Sequence, residues 1–140
     1  MKRLNVLLLP MHRLYSPWCD DVKAAIGARH NLNELDDDQP LAPQFAGIDV
    51  VVDQGGSRGT PAMMDAATDC KFWQVLGTGF DHFPLAYIKQ KGIPTGNTPG
   101  LFSAISLAET AMMYMIMLSR KYPEGAQNFQ LLEESPECTR

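Results

Sequence analysis

The chain has 140 residues, of which 45% are hydrophobic and 20% are charged. These values are typical of a soluble globular domain and exclude a disordered tail or a collagen-like fibre. Acidic residues outnumber basic residues by 16 to 12, which argues against a nucleic-acid-binding protein, because such proteins usually present a basic face. The longest mainly apolar stretch, residues 104–118, contains Glu109 and is too short to span a bilayer.

Neither a leader segment nor a metal site is predicted. The apolar run near the N-terminus ends at Pro10 and lacks the cleavage site of a signal peptide. The three cysteines are odd in number and far apart, which predicts no disulfide framework, and the three histidines have no metal-ligand spacing. They are Cys19, Cys70 and Cys138, and His12, His30 and His82. A reduced, cytoplasmic setting is therefore expected.

Apolar runs alternate with helix-like segments, which predicts an α/β protein with a mainly parallel sheet. The predicted strands are 4–9, 48–52, 72–76 and 93–95, with a weaker one inside the polar stretch 30–43. The predicted helices are 17–29, 61–67, 84–91 and a longer one from Ser103 or Ser106 to about Ser119. Thr60 and Gly92 are expected to cap the second and third of these helices.

The longer helix is rich in methionine, and its methionines lie on more than one face. This pattern predicts a helix that is buried on most sides. Ser106 and Glu109 have the spacing of a capping box. The last twenty residues are polar and contain two prolines.

Glycine-rich turns follow two of the predicted strands, at residues 53–60 and 77–82. The carboxyl ends of parallel strands meet at one edge of a sheet, where ligands of such proteins bind. Glycines allow a positive φ and a close approach of the backbone, so these turns can offer N–H groups to an anion. Together with the hydroxyl of Ser57 and the charge of Arg58, they predict a site for a small carboxylate or phosphate.

Three other interpretations of these turns are weaker. The Gly77–His82 turn begins like the GxGxxG of a dinucleotide site but has a histidine at the third glycine position. The earlier turn lacks the Lys-Ser/Thr pair of a P-loop. Asp53 follows an apolar strand like the phospho-acceptor of a receiver domain, but the first strand ends without acidic residues. Each turn could also be a plain connection between a strand and a helix.

Three segments, in their order and spacing, carry a resemblance to one family. They are residues 48–60, residues 72–83 followed by 91–94, and residues 97–100 followed by 106–109. Together they resemble the D-isomer-specific 2-hydroxyacid dehydrogenases, and among these the D-3-phosphoglycerate dehydrogenases. The resemblance extends over about residues 48–122, whereas the first 47 residues fit in pattern alone.

The resemblance implies part of a two-domain oxidoreductase that interconverts a D-2-hydroxy acid and a 2-keto acid with NAD or NADP. Residues 1–100 would form a flavodoxin-like, parallel-sheet substrate domain. Residues 101–122 would form the interdomain helix, the first helix of a Rossmann cofactor domain, and residues 123–140 a polar tail. The family's GxGxxG and its catalytic arginine, glutamate and histidine would follow after residue 140. The chain alone is therefore expected to contain no catalytic residue, to be inactive and not to bind the cofactor tightly.

The resemblance also assigns site residues. The substrate carboxylate would be held by backbone N–H groups of Gly55, Gly56, Ser57, Thr78 and Gly79. Thr78 would also contact the nicotinamide end of the cofactor. The family often has an arginine at the position of Gln54, so one substrate contact would be either missing or supplied by Arg58. The parent enzyme would be a homodimer or larger and act on a small anionic 2-hydroxy or 2-keto acid. The alternative is a non-catalytic carboxylate-binding module or partner subunit.

Overall fold

The computed structural model describes residues 2–11, 16–54 and 58–133. Contacts divide the chain into two units, Met1–Pro99 and Gly100–Arg140. The first unit is built on five strands: β1 (Asn5–Leu9), β2 (Asn31–Glu34), β3 (Val50–Asp53), β4 (Phe72–Val75) and β5 (Thr95–Gly96). All pairs are parallel and the order is β2-β1-β3-β4-β5. This is the flavodoxin-like order, and the predicted fold class is confirmed.

Four helices connect these strands. They are α1 (Ser16–Gly27), α2 (Leu41–Phe45), α3 (Pro61–Ala66) and α4 (Leu85–Gln90). Helix α2 was not predicted, because it is only one turn long and follows the polar stretch after β2. It forms because Phe45 is fully buried and stacks on Trp73, with ring centroids 6.4 Å apart. Tertiary packing thus outweighs weak local propensity at this point.

The two faces of the sheet bury different clusters. Alternate residues of a strand point to opposite faces, so Trp73 and Val75 of β4 lie on the face covered by α2, α3 and α4. Val6 and Leu8 of β1 lie on the other face, where they pack with Cys19 of α1. β1 and β3 are therefore buried on both sides, as expected for the centre of a parallel sheet, whereas the edge strand β2 is mostly exposed.

The predicted caps of α3 and α4 are confirmed. Thr60 precedes α3, and its hydroxyl oxygen accepts the Met63 N–H at 3.2 Å. Gly92 follows α4 with φ +72°, a conformation that glycine adopts without steric cost.

A polar cluster also joins α3 to α4. The Tyr87 hydroxyl donates to an Asp65 carboxylate oxygen at 2.8 Å, and Lys91 forms an ion pair with the same oxygen. The Lys91 ammonium, and then the Tyr87 hydroxyl, lower the pKa of Asp65. This cluster supports the packing of α3 on α4 and lies away from the glycine-rich turns.

The second unit contains two helices, α5 (Ala104–Ser119) and α6 (Tyr122–Glu133). The capping-box prediction is wrong: α5 begins two residues before Ser106, and the Ser103 hydroxyl donates to the Gly100 carbonyl instead of capping the helix. Residues 123–133, predicted as part of a polar tail, are helical. Pro123 is compatible with this, because proline is tolerated in the first turn of a helix.

Helix α5 has no buried residue, so the prediction that it is buried on most sides is not met within the described part of this unit. Large apolar side chains remain exposed along it, among them Met112 at 62%, Met115 at 68% and Leu118 at 72%. Exposed apolar surface of this extent marks an interaction site or a tendency to aggregate. No described helix is long and apolar enough to cross a membrane.

We expect the 140-residue chain to bind a polarity-sensitive dye and to self-associate through α5. Dye fluorescence and sedimentation velocity measure the two effects. A variant with Met112→Glu, Met115→Glu and Leu118→Glu should lose most of both signals, because charged side chains disfavour burial of this surface. A wild-type chain that stays monomeric and binds no dye would contradict this expectation.

Candidate functional site

The two glycine-rich turns leave the sheet at one edge. The Gln54 N–H donates to the Leu9 carbonyl at 3.1 Å, and the Leu76 N–H donates to the Asp53 carbonyl at 2.7 Å. The carboxyl ends of β1, β3 and β4 are therefore held side by side. The crevice of such a sheet lies between β1 and β3, where the chain changes direction across the sheet.

The turn after β3 is closed by a buried carboxylate. Asp53 is completely buried, and its Oδ2 accepts the Gly59 N–H at 3.0 Å. A Cβ atom on Gly59 would lie 2.6 Å from Phe83 Cε2, so this position requires glycine for space. The predicted site residues Gly55, Gly56 and Ser57 lie outside the described residues.

Arg58 is held by protein groups on two sides. Its Nη1 donates to the Pro10 carbonyl at 2.8 Å, and its Nη2 forms an ion pair with Asp37. The side chain is 18% exposed. Arg58 thus joins the turn after β3 to the ends of β1 and β2, which uses two of its five N–H donors. Its predicted contact with the substrate stays a prediction.

Gln54 is a buried polar group that the sequence did not place in the site. It is 1% exposed, and its Oε1 accepts the Met11 N–H at 3.2 Å. Its Nε2 makes no hydrogen bond in the described structure. A buried donor without an acceptor is costly, by about 1–3 kcal/mol. The signal for Gln54 in the sequence was its position at the start of the glycine-rich turn after β3.

The turn after β4 presents backbone donors to solvent. Thr78 and Gly79 are exposed, and neither N–H donates to another described group. The carbonyls beside them are bonded: Gly77 O accepts the Thr98 N–H at 3.1 Å, and Thr78 O accepts Asn97 Nδ2 at 3.0 Å. Both predicted residues of this turn thus lie at the surface, at the carboxyl end of β4, and their contact with an anion stays a prediction.

The expected reason for the glycines in this turn is wrong in part. Among the described glycines, a positive φ occurs at Gly47 and Gly92, not at Gly77 or Gly79. A Cβ atom on Gly79 would meet only Asp81 Oδ2, at 4.0 Å. Glycine at position 79 therefore leaves open space above the backbone, which allows a ligand to approach closely, and does not relieve strain.

An apolar cleft of about 150 Å³ lies beside this turn. It is lined by Val75, Phe80, Phe83, Leu85, Thr95, Gly96 and Asn97. Its polar groups are few, so it suits the carbon skeleton of a small ligand better than a charged group.

The described residues do not form a dinucleotide site. Such a site places the pyrophosphate on the N-terminus of a helix that follows the glycine turn directly. Here α4 begins only at Leu85, and His82 stands where a third glycine would be needed. The described residues also contain no group of three or more side chains that could hold a metal ion. What the edge offers is hydrogen-bond donors for an anion.

Comparison with known protein families gives a match over residues 14–133 to the D-isomer specific 2-hydroxyacid dehydrogenase, catalytic domain. The chain belongs to this family. Among curated 2-hydroxyacid dehydrogenase relatives, it is 33% identical to erythronate-4-phosphate dehydrogenase of Shewanella sp. strain MR-4. The matched 79 residues are 56% of this chain and 21% of that protein. It is also 33% identical to hydroxypyruvate reductase of Thermotoga maritima. The matched 87 residues are 62% of this chain and 27% of that protein.

Solved structures of 2-hydroxyacid dehydrogenases share the fold. The NADPH-dependent glyoxylate/hydroxypyruvate reductase of Sinorhizobium meliloti superposes with a TM-score of 0.72 at 15% identity, over 95% of this chain and 40% of that chain. The 3-phosphoglycerate dehydrogenase of Entamoeba histolytica superposes with a TM-score of 0.61 at 16% identity, over 83% and 39% of the two chains. The chain thus spans about a quarter of the curated relatives and two fifths of these structures.

Proposed function

We propose that this chain is the substrate-binding part of an NAD- or NADP-dependent oxidoreductase that interconverts a D-2-hydroxy acid and a 2-keto acid. In this proposal the ligand of the chain is the carboxylate of that acid. The erythronate-4-phosphate and hydroxypyruvate named for two relatives both carry a carboxylate, whereas the first alone carries a phosphate. The carboxylate is therefore the group that a shared site would recognise.

The observation that carries the proposal is the pair of exposed residues Thr78 and Gly79, whose N–H groups donate to no other described group. Backbone N–H groups that converge on one point form an anion-binding site without a charged side chain. They lie at the carboxyl edge of a parallel sheet, where ligands of this fold class bind. The apolar cleft beside them would accommodate the carbon skeleton of the acid.

The chain's own contribution to the reaction would be binding and orientation. Hydrogen bonds to the carboxylate fix the position of the neighbouring 2-carbon, and such fixation lowers the entropic cost of the reaction. Transfer of a hydride to or from that carbon is the chemistry of the nicotinamide cofactor. The described residues form no dinucleotide site, so in this proposal they would contact the cofactor at its nicotinamide end alone, through Thr78.

Titration of the isotope-labelled chain with glyoxylate tests this proposal. The backbone amide signals of Thr78 and Gly79 should shift in a saturable way. Gly79→Val should weaken binding by about tenfold, the equivalent of one lost hydrogen bond, because the branched side chain covers the amide. The fold should remain, since the space around Gly79 is open.

Gly125→Val is the matched control, because this glycine lies in α6, far along the chain from the turn, and a Cβ atom on it meets no atom within 4 Å. It should leave glyoxylate affinity unchanged. If glyoxylate shifts neither amide, the proposed function of this turn is wrong. If Gly79→Val binds glyoxylate like the wild-type chain, Gly79 does not belong to the site.

A further inference from the structure

We infer that Asn97 is a positioning residue that directs the two amides of the turn after β4 toward the ligand. This inference rests on the proposed function, since it concerns how the same carboxylate would be held. Asn97 lines the apolar cleft proposed for the carbon skeleton, but toward the carboxylate it acts through the peptide group that joins Thr78 to Gly79. Its neighbour Thr98 holds the preceding peptide group.

The geometry of the peptide group supports this role. A trans peptide is planar, and its C=O and N–H point in opposite directions. The carbonyl of Thr78 and the N–H of Gly79 belong to one peptide group. Because Asn97 Nδ2 donates to that carbonyl at 3.0 Å, the Gly79 N–H is directed away from Asn97.

The neighbouring peptide group is held in the same manner. The carbonyl of Gly77 shares a peptide group with the N–H of Thr78, and it accepts the Thr98 N–H at 3.1 Å. The Thr98 hydroxyl also donates to the Val75 carbonyl at 3.4 Å. Two consecutive residues thus bind two consecutive carbonyls, and both amides are left free on the opposite side.

The hydrogen bonds from Asn97 and Thr98 are the described hydrogen bonds that restrain residues 77–79. The glycines at 77 and 79 have no side chains to pack, and Thr78 is exposed. A flexible turn would lose entropy on ordering around a ligand, whereas a turn already held in place does not. Asn97 therefore favours binding by fixing the donors before the ligand arrives.

The position of Asn97 in the chain gives this contact a further meaning. Asn97 and Thr98 follow β5 directly, and the first structural unit ends at Pro99. The segment that leaves the first unit is therefore the same segment that holds the turn. A change in this segment would alter the direction of the two amides.

The hydrogen bond itself is tested in the wild-type chain. The side-chain amide protons of Asn97 should exchange with solvent several-fold more slowly than those of Asn33. Asn33 is a suitable reference because it is exposed on β2 and its side chain makes no hydrogen bond to a described residue. Equal exchange rates for the two side chains would overturn the inference.

The positioning role is tested with Asn97→Ala, and Asn33→Ala is its control. Asn97→Ala should weaken glyoxylate binding by about threefold to tenfold, as expected for the loss of one hydrogen bond, and should displace the Gly79 amide signal of the free chain. Its melting temperature should stay that of the wild-type chain, because Asn97 is exposed. Asn33→Ala should change neither the affinity nor the Gly79 signal.

The outcomes separate the two proposals. If glyoxylate shifts the Thr78 and Gly79 amides of the wild-type chain and Asn97→Ala binds it equally well, the positioning role is wrong and the proposed function stands. If glyoxylate shifts neither amide in the wild-type chain, both are wrong. Should Asn97→Ala unfold, the exchange rates in the wild-type chain decide the inference.

Discussion

Gly59→Ala should lower the free energy of unfolding by about 1–3 kcal/mol, the usual cost of an added group in a packed interior. The new methyl group would lie 2.6 Å from Phe83 Cε2 and 3.1 Å from both Asp53 Oδ2 and Trp73 Cζ2. Phe83 is 5% exposed and Trp73 is completely buried, so neither ring can move aside freely. Movement of the backbone would instead stretch the Asp53–Gly59 hydrogen bond. Urea denaturation followed by fluorescence of the two tryptophans measures the effect.

Gly27→Ala is the control for this substitution. Gly27 ends α1, and a Cβ atom there would meet nothing within 4 Å. Alanine is the better helix former, so this variant should equal or exceed the wild-type chain in stability. If Gly59→Ala is as stable as Gly27→Ala, the close packing of the turn on Phe83 is not present in solution.

Trp73→Ala should have the larger effect, a loss of about 3–5 kcal/mol, as found when large aromatic side chains are removed from cores. Trp73 is completely buried and contacts two other rings, Phe45 at 6.4 Å and Phe83 at 6.1 Å between centroids. These rings belong to α2 and to the segment before α4. Removal of the indole would therefore loosen both segments from the sheet, and the chain would be mostly unfolded if its total stability is typical of a small domain.

Phe72→Ala is the matched control, because Phe72 is the preceding residue of β4 and points to the opposite face. It is 36% exposed, so its loss should cost about 1 kcal/mol or less. Circular dichroism during heating compares the two variants. Equal destabilisation by the two substitutions would contradict the assignment of the main core to the Trp73 face.

Most of the sheet could be predicted from the sequence because its strands are continuous apolar runs. β1 and β3 are buried on both faces, and that environment selects Val and Leu at successive positions. Helix α2 could not be predicted in this way, since five residues after a polar stretch give no periodic pattern. Its existence depends on the fit of Phe45 against Trp73, which lies 28 residues further along the chain.

The edge of the sheet that carries the candidate site could be predicted from the sequence. The side-chain contacts at that edge could not. Two glycine-rich turns after apolar strands indicated one ligand-binding edge, and the structure brings them to one edge. The partners of Arg58 could not be read from the sequence, because Pro10 and Asp37 are 48 and 21 residues away. For the same reason, the contact of Asn97 with the turn containing Thr78, 19 residues before it, could not be predicted.

The central position of β1 affects how the chain can fold. β1 pairs with β2 and β3 on its two sides, and Val6 meets Val50 across a separation of 44 residues. Both strands that pair with β1, namely β2 and β3, are therefore synthesised after it. During synthesis this apolar strand therefore lacks its second partner until residue 53 has left the exit tunnel. Sheets with such distant pairing fold slowly, and their incomplete chains are prone to aggregate.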